Sequence, residues 1–150
     1  MPLHFEKHAA KGNEFVNRLA ARLGNEGDRD RAGRVLRCVF YALRNRLTIE
    51  ESFQLLAQLP MVIKALYIEG WQPGRLHTKV KTLQELSEEV IKEDGNSAWR
   101  DFSGVSEAME AIEAVVKTMA DYVSAGELHD IVAVLPEDMK ERFMVWSHTP

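Results

Sequence analysis

The feature that most constrains this chain is an internal repeat. Apolar residues stand at Val35-Leu36, Val39-Phe40, Leu43 and Leu47. Then come Thr48-Ile49-Glu50-Glu51, Leu55-Leu56, Leu59-Pro60, Ile63-Lys64 and Tyr67. At an offset of 76 stand Ala111-Ile112, Val115-Val116, Met119 and Val123, then Ser124-Ala125-Gly126-Glu127, Ile131-Val132, Leu135-Pro136, Met139-Lys140 and Phe143. Apolar positions coincide, as do a Thr or Ser start signal, a Leu-Pro pair and a lysine. Matching apolar positions impose matching packing. Upstream the offset is 71, pairing Glu14-Phe15 with Glu85-Leu86 and Gly24-Asn25 with Gly95-Asn96. The second copy therefore holds five extra residues within 97–104, a stretch that includes Trp99 and Phe102. A length difference of this kind belongs in a connection, where repeat folds tolerate it.

Each copy reads as four helices. The first spans about 5–23, with Phe15, Val16, Leu19, Ala20 and Leu23 on one face. Its counterpart spans about 83–93 and uses Leu86, Val90 and Ile91. The second helix carries its apolar residues at helical spacing, with no strand-like alternation. Thr48 with Glu51, Thr82 with Glu85, and Ser124 with Glu127 fit the capping box, which satisfies free backbone N–H groups at a helix start. Pro60 and Pro136 suit the first position of the fourth helix, where a missing N–H costs nothing. Gly70 stops that helix in the first copy and Pro73 blocks a restart. No Asn-Gly or Gly-Gly turn separates alternating runs, so β structure is not expected. The expected fold is all-α, two tandem four-helix repeats packed as one compact helical domain. It is a single domain over 1–150, with repeat one about 1–75 and repeat two about 76–150. Each half is near the size where burial alone is marginal, so one shared core is expected.

Several segments carry a family resemblance. They are Arg31-Ala-Gly-Arg-Val-Leu-Arg, Ala42-Leu-Arg-Asn-Arg-Leu-Thr, Glu50-Glu-Ser-Phe-Gln-Leu-Leu-Ala-Gln-Leu-Pro-Met and Lys64-Ala-Leu-Tyr-Ile-Glu-Gly-Trp. Ser124-Ala-Gly-Glu-Leu-His-Asp-Ile-Val-Ala-Val-Leu-Pro joins them in the second half. Together they resemble the prokaryotic domain-of-unknown-function family numbered 2267, over nearly the whole chain. The resemblance implies a bacterial or archaeal, all-helical, cytoplasmic protein. It implies no activity and brings no site residues.

Composition narrows the functional classes. A single cysteine, Cys38, excludes an intrachain disulfide and a multi-cysteine zinc site. No run approaches the ~20 apolar residues of a membrane span. The first dozen residues lack the apolar core of a signal peptide, and a cytoplasmic location is expected. A net charge of −4 argues against a general nucleic-acid binder. The charge is unevenly spread: residues 1–75 hold 12 Lys and Arg against 8 Asp and Glu, and residues 76–150 hold 7 against 15.

No nucleophile elbow, Ser-x-x-Lys or phosphate-binding glycine loop occurs. His4 and His8 have helical spacing for a shared zinc but no third ligand nearby, and His77, His129 and His148 are isolated along the chain. Glu85, Glu89 and Glu93 form a carboxylate row without the Glu-x-x-His partners of a di-metal bundle, and read as a solvated face. No metal or cofactor is expected. Cys38 lies off the apolar stripe of its helix, either at the surface or beneath a second layer. Trp71 is a candidate anchor, or an apolar residue packed back on the helix that Gly70 ends.

One flank of the second helix stands out. Arg34, Arg37, Tyr41 and Arg44 lie beside its apolar stripe, a composition that suits phosphate or carboxylate ligands. The matching residues in the second copy are Glu110, Glu113, Lys117 and Ala120. The reversed charge suggests an alternative: Arg34 and Arg37 pair internally with the second half, Glu110 and Glu113 foremost. The leading functional expectation is a non-catalytic helical interaction module that binds a protein partner. Behind it stand a binder of an anionic ligand or nucleic acid through Arg34, Arg37 and Arg44, and an enzyme with a dispersed site.

Overall fold

A computed structural model describes residues 4–74, 76 and 79–148. Its helices are α1 (Glu6–Arg22), α2 (Arg29–Arg44), α3 (Ile49–Gln58), α4 (Met61–Ile68), α5 (Leu83–Asp94), α6 (Ala98–Asp101), α7 (Val105–Ala120), α8 (Ala125–Ala133) and α9 (Glu137–His148). A 3-10 turn, Gly95–Ser97, joins α5 to α6, and no strand occurs among the described residues. Helices α2, α3 and α4 start at Arg29, Ile49 and Met61, and α7, α8 and α9 start at Val105, Ala125 and Glu137. Each of these starts is separated from its counterpart by the 76-residue offset. The extra residues of the second half fall within 97–104, the stretch that holds α6.

Local chemistry accounts for the starts. Thr48 and Glu51 form a complete capping box, as do Thr82 and Glu85. Ser124 caps α8 through the N–H of Glu127, but its own N–H donates to Gln58 Oε1 at 3.4 Å instead of to Glu127. That half-box ties the start of α8 to the end of α3. Pro60 sits at the N-cap of α4, one place earlier than expected, because its extended ψ of 148° precedes the helical residues. Gly70, at φ 69°, supplies the left-handed residue that ends α4.

Helix α5 packs against both α2 and α7, while α1 packs against α2, α4 and α7. Helices α2 and α7 also meet each other, as do α3 and α8. One continuous core results, with Phe15, Leu36, Phe40, Tyr67, Leu86, Ile112, Val115 and Met139 fully buried. Gly12 lets α1 lie close on α4: a Cβ there would stand 3.1 Å from Cβ of Val62. Between the halves remains an apolar cavity of about 20 Å³ whose walls include Leu43, Leu47, Val116 and Val132. No helix among the described residues is long and apolar enough to cross a membrane.

Candidate interaction surface

The four residues of the α2 flank meet different fates. Arg34 donates from Nε and Nη2 to the two carboxylate oxygens of Asp101, each at 2.8 Å. Asp101, at the end of α6, is only 1% exposed. Burial works to raise its pKa, but the Arg34 hydrogen bonds, together with the Asp94 interaction and the positive charges of Arg34 and Arg31, hold the carboxyl below its usual value. Arg44 is 8% exposed and donates from Nη1 to the carbonyls of Tyr67 and Glu69, at 2.7 and 2.6 Å. It thereby satisfies carbonyls at the C-terminal end of α4, where a cation also suits the helix dipole. Its guanidinium lies 4.1 Å from the Tyr41 ring centroid, so Tyr41 is the platform of a buried cation. Burial lowers the pKa of Arg44, against the opposing influence of Tyr41, Tyr67 and neighbouring carboxylates. Arg37 alone projects into solvent. The structure thus does not assemble Arg34, Arg37 and Arg44 into one solvent-facing stripe.

Internal pairing occurs, with different carboxylates from those expected. Glu113 pairs with Lys117 of its own helix at 2.9 Å, and Glu110 is exposed. The pair that does join equivalent positions is one turn earlier: Arg31 Nη2 lies 3.1 Å from Glu107 Oε1, across a separation of 76. The same nitrogen donates to the backbone carbonyl of Asp101 at 2.9 Å. Arg31 and Arg34 together therefore fasten α6 to α2. A second inter-half link joins Arg22 to Thr118 and Asp121, at 3.0 and 2.8 Å.

Cys38 is buried by α5, the second layer that the periodicity of α2 alone could not reveal. Among the described residues, no group of three His, Cys, Asp or Glu side chains is placed to hold a metal ion. His4 precedes the first helical residue, and His77 lies outside the described residues.

Trp71 is half-buried. Its ring stands 5.9 Å from Tyr67, in the last turn of α4, and 6.0 Å from Phe53 of α3. It packs back on the helix that Gly70 terminates, and extends that contact outward to Phe53, which is 58% exposed. Further large apolar side chains are exposed on the same two helices: Ile49 one turn before Phe53 on α3, and Met61 and Ile68 on the outer side of α4. The exposed residues Glu50 and Glu69 adjoin Ile49 and Ile68 in the chain.

The second half offers an internal comparison. At the 76-residue offset, Ile49, Phe53, Met61, Ala65 and Trp71 correspond to Ala125, His129, Glu137, Glu141 and Ser147. Ala125, His129, Glu137 and Glu141 are exposed. Phe53 and Met61 thus have polar counterparts, whereas Ile68 is matched by Met144, and Val145 of α9 is itself exposed. Sequence reasoning singled out Trp71 but missed Phe53, Met61 and Ile68. For Phe53 and Met61 the signal was present at the 76-residue offset, where they are matched to His129 and Glu137; Ile68 is matched to Met144 and carried none.

A helical domain with an apolar outer face, and polar side chains largely committed to internal pairing, is the class that these features define. A family model described as uncharacterized conserved protein (DUF2267) matches residues 12–142, and the chain belongs to that family. A search of curated proteins finds no match.

Proposed function

We propose that this protein is a non-catalytic helical interaction module that binds a protein partner through the outer face of α3 and α4. The carrying observation is the contrast between the halves. His129 and Glu137 occupy the positions on α8 and α9 that Phe53 and Met61 hold on α3 and α4, so this architecture does not require apolar side chains at those two places. Phe53 and Met61 nevertheless stand in water, with Ile68 exposed on the same side of α4 as Met61. Exposed apolar clusters that folding does not require mark interaction sites. The inferred partner segment is an amphipathic helix with basic flanks, because the exposed Glu50 and Glu69 border the patch and would complement Lys or Arg there. A second copy of this chain would bring like charges together at the rim. The comparison rests on reading the chain as two tandem copies, supported by the coincident helix starts and by the Arg31–Glu107 pair.

Binding through the α2 flank has less support, since the guanidiniums of Arg34 and Arg44 serve intramolecular partners. The test is the pair Phe53→Asp and Ile68→Glu, with partner capture and thermal melting measured side by side. We expect loss of the partner with melting essentially unchanged. Retention of the same partner by both variants would sink the proposal.

A further inference from the structure

On the outer face of α3 and α4, one aromatic pair is supported from beneath by buried polar groups. Phe53 and Trp71 meet at 6.0 Å and 86°, and Trp71 meets Tyr67 at 5.9 Å and 78°. The Tyr67 hydroxyl lies 2.7 Å from the hydroxyl of Ser52, the residue before Phe53, and both residues are fully buried. The N–H of Trp71 donates to the carbonyl of Ile68 at 3.0 Å, and Arg44 takes the carbonyls of Tyr67 and Glu69. These bonds hold the chain on both sides of the pair in place before any partner arrives. The core does not require them. At the 76-residue offset Arg44, Ser52 and Tyr67 correspond to Ala120, Leu128 and Phe143, and Leu128 and Phe143 are buried without a hydroxyl. A satisfied buried network adds little net stability over apolar packing, but it rigidifies what it joins.

The charges around the pair have one sign. Residues 48–71 hold Glu50, Glu51 and Glu69 against Lys64. Glu51 is committed to the capping box. Glu50 stands three residues before Phe53 on α3, which places it on the same face. Glu69 lies two residues before Trp71. Both are exposed, and neither pairs with a cation among the described residues. Elsewhere the chain covers its aromatic rings with its own guanidiniums: Arg18 over Tyr122, Arg44 over Tyr41 and Arg142 over Trp146, at 5.6, 4.1 and 6.0 Å. Among the described residues no cation lies over Phe53 or Trp71. In the second half Glu50, Phe53, Glu69 and Trp71 correspond to Gly126, His129, Val145 and Ser147, so the whole set belongs to the first half alone.

We propose that Phe53, Trp71 and Glu50 form the seat of one arginine side chain of the docking partner. The proposal rests on docking through α3 and α4, and it names the residue that anchors there. The guanidinium lies on the open ring surface, with Phe53 58% exposed, and donates to the Glu50 carboxylate, while Glu69 adds negative charge nearby. A planar guanidinium can stack and fork at once, which a lysine ammonium cannot.

The seat is tested on the full chain with N-acetyl-arginine N-methylamide and with its citrulline counterpart, which keeps the shape and lacks the charge. The indole N–H signals of the three tryptophans are followed by NMR, and Trp71→Phe identifies the one that matters. The Trp71 signal should move about tenfold more per unit of arginine probe than of citrulline probe. Trp99, 81% exposed and outside the seat, should respond weakly and equally to both. Glu50→Gln should cut the Trp71 response to arginine about threefold and leave the melting temperature unchanged. Equal responses to the two probes, or a Trp99 response to arginine as large as that of Trp71, would overturn the proposal. That failure is separable from failure of the docking face: it leaves Phe53→Asp still releasing the partner, whereas partner capture that survives Phe53→Asp removes the docking face and the partner's arginine with it.

Discussion

Arg34→Ala tests whether α6 is held by a buried ion pair. The substitution removes two donors from a carboxylate that is 1% exposed, leaving Asp101 charged and enclosed. Removing one partner of a buried pair costs about 3–5 kcal/mol. The Arg34 side chain is 27% exposed, so water can partly replace it, and we expect about 2–3 kcal/mol. For a chain of this size, that lowers Tm by about 5–10 °C. Arg37→Ala is the control: the same residue type one turn along the same helix, exposed, and expected to change stability by less than about 0.5 kcal/mol. Circular dichroism melts of the three proteins at neutral pH give the comparison. The pH dependence has a fixed sign. Asp101 has a lowered folded-state pKa: burial opposes this, but the Arg34 bonds with the Asp94 interaction and the Arg34 and Arg31 charges together outweigh it. Its pairing therefore stabilises the fold above the ordinary aspartate value, and that contribution is lost as pH falls through the lowered one. The gap between Arg34→Ala and the unaltered protein should narrow below about pH 4. Equal melting of Arg34→Ala and Arg37→Ala, or a gap that acid leaves unchanged, would refute the reasoning.

Other outcomes follow from packing. Gly12→Val should destabilise by about 1–3 kcal/mol in urea melts, because branched methyls would extend beyond a Cβ already 3.1 Å from Val62. Val132→Ile adds one methyl beside the apolar cavity of about 20 Å³ and should raise Tm by a few degrees, about 1 kcal/mol or less. Phe53→Asp should leave urea stability within about 0.5 kcal/mol, since the side chain is 58% exposed and its ring contact with Trp71 lies at the surface.

The helices were legible in the chain because their signals are local. The Thr48–Glu51 and Thr82–Glu85 boxes, the Leu-Pro pairs and Gly70 each act within a few residues. The surroundings of the α2 flank were not, because they are set by segments distant in sequence. Helical counting places Arg44 beside the apolar stripe. It does not show that the C-terminal end of α4 arrives there and takes the guanidinium. Asp101 escaped notice because it lies in the stretch that has no counterpart in the first half, so comparison of the two copies could not align it with Arg34. The charge-reversal argument chose the right kind of contact and missed its place by one turn. Arg31 meets Glu107, while α6 captures Arg34 before Glu110 can. Cys38 shows the same limit, since its burial depends on α5, more than forty residues further along the chain.

The most direct measurement of the interaction-module proposal is site-specific photocrosslinking in the native host, with a benzophenone amino acid at position 53 and, separately, at position 129. The two positions correspond at the 76-residue offset and both are exposed. Only the first belongs to the apolar face. The account expects a discrete crosslinked partner from position 53, none of it from position 129, and its loss when Ile68→Glu is added to the position-53 protein. The same crosslinked species from both positions, or none from position 53, would contradict it.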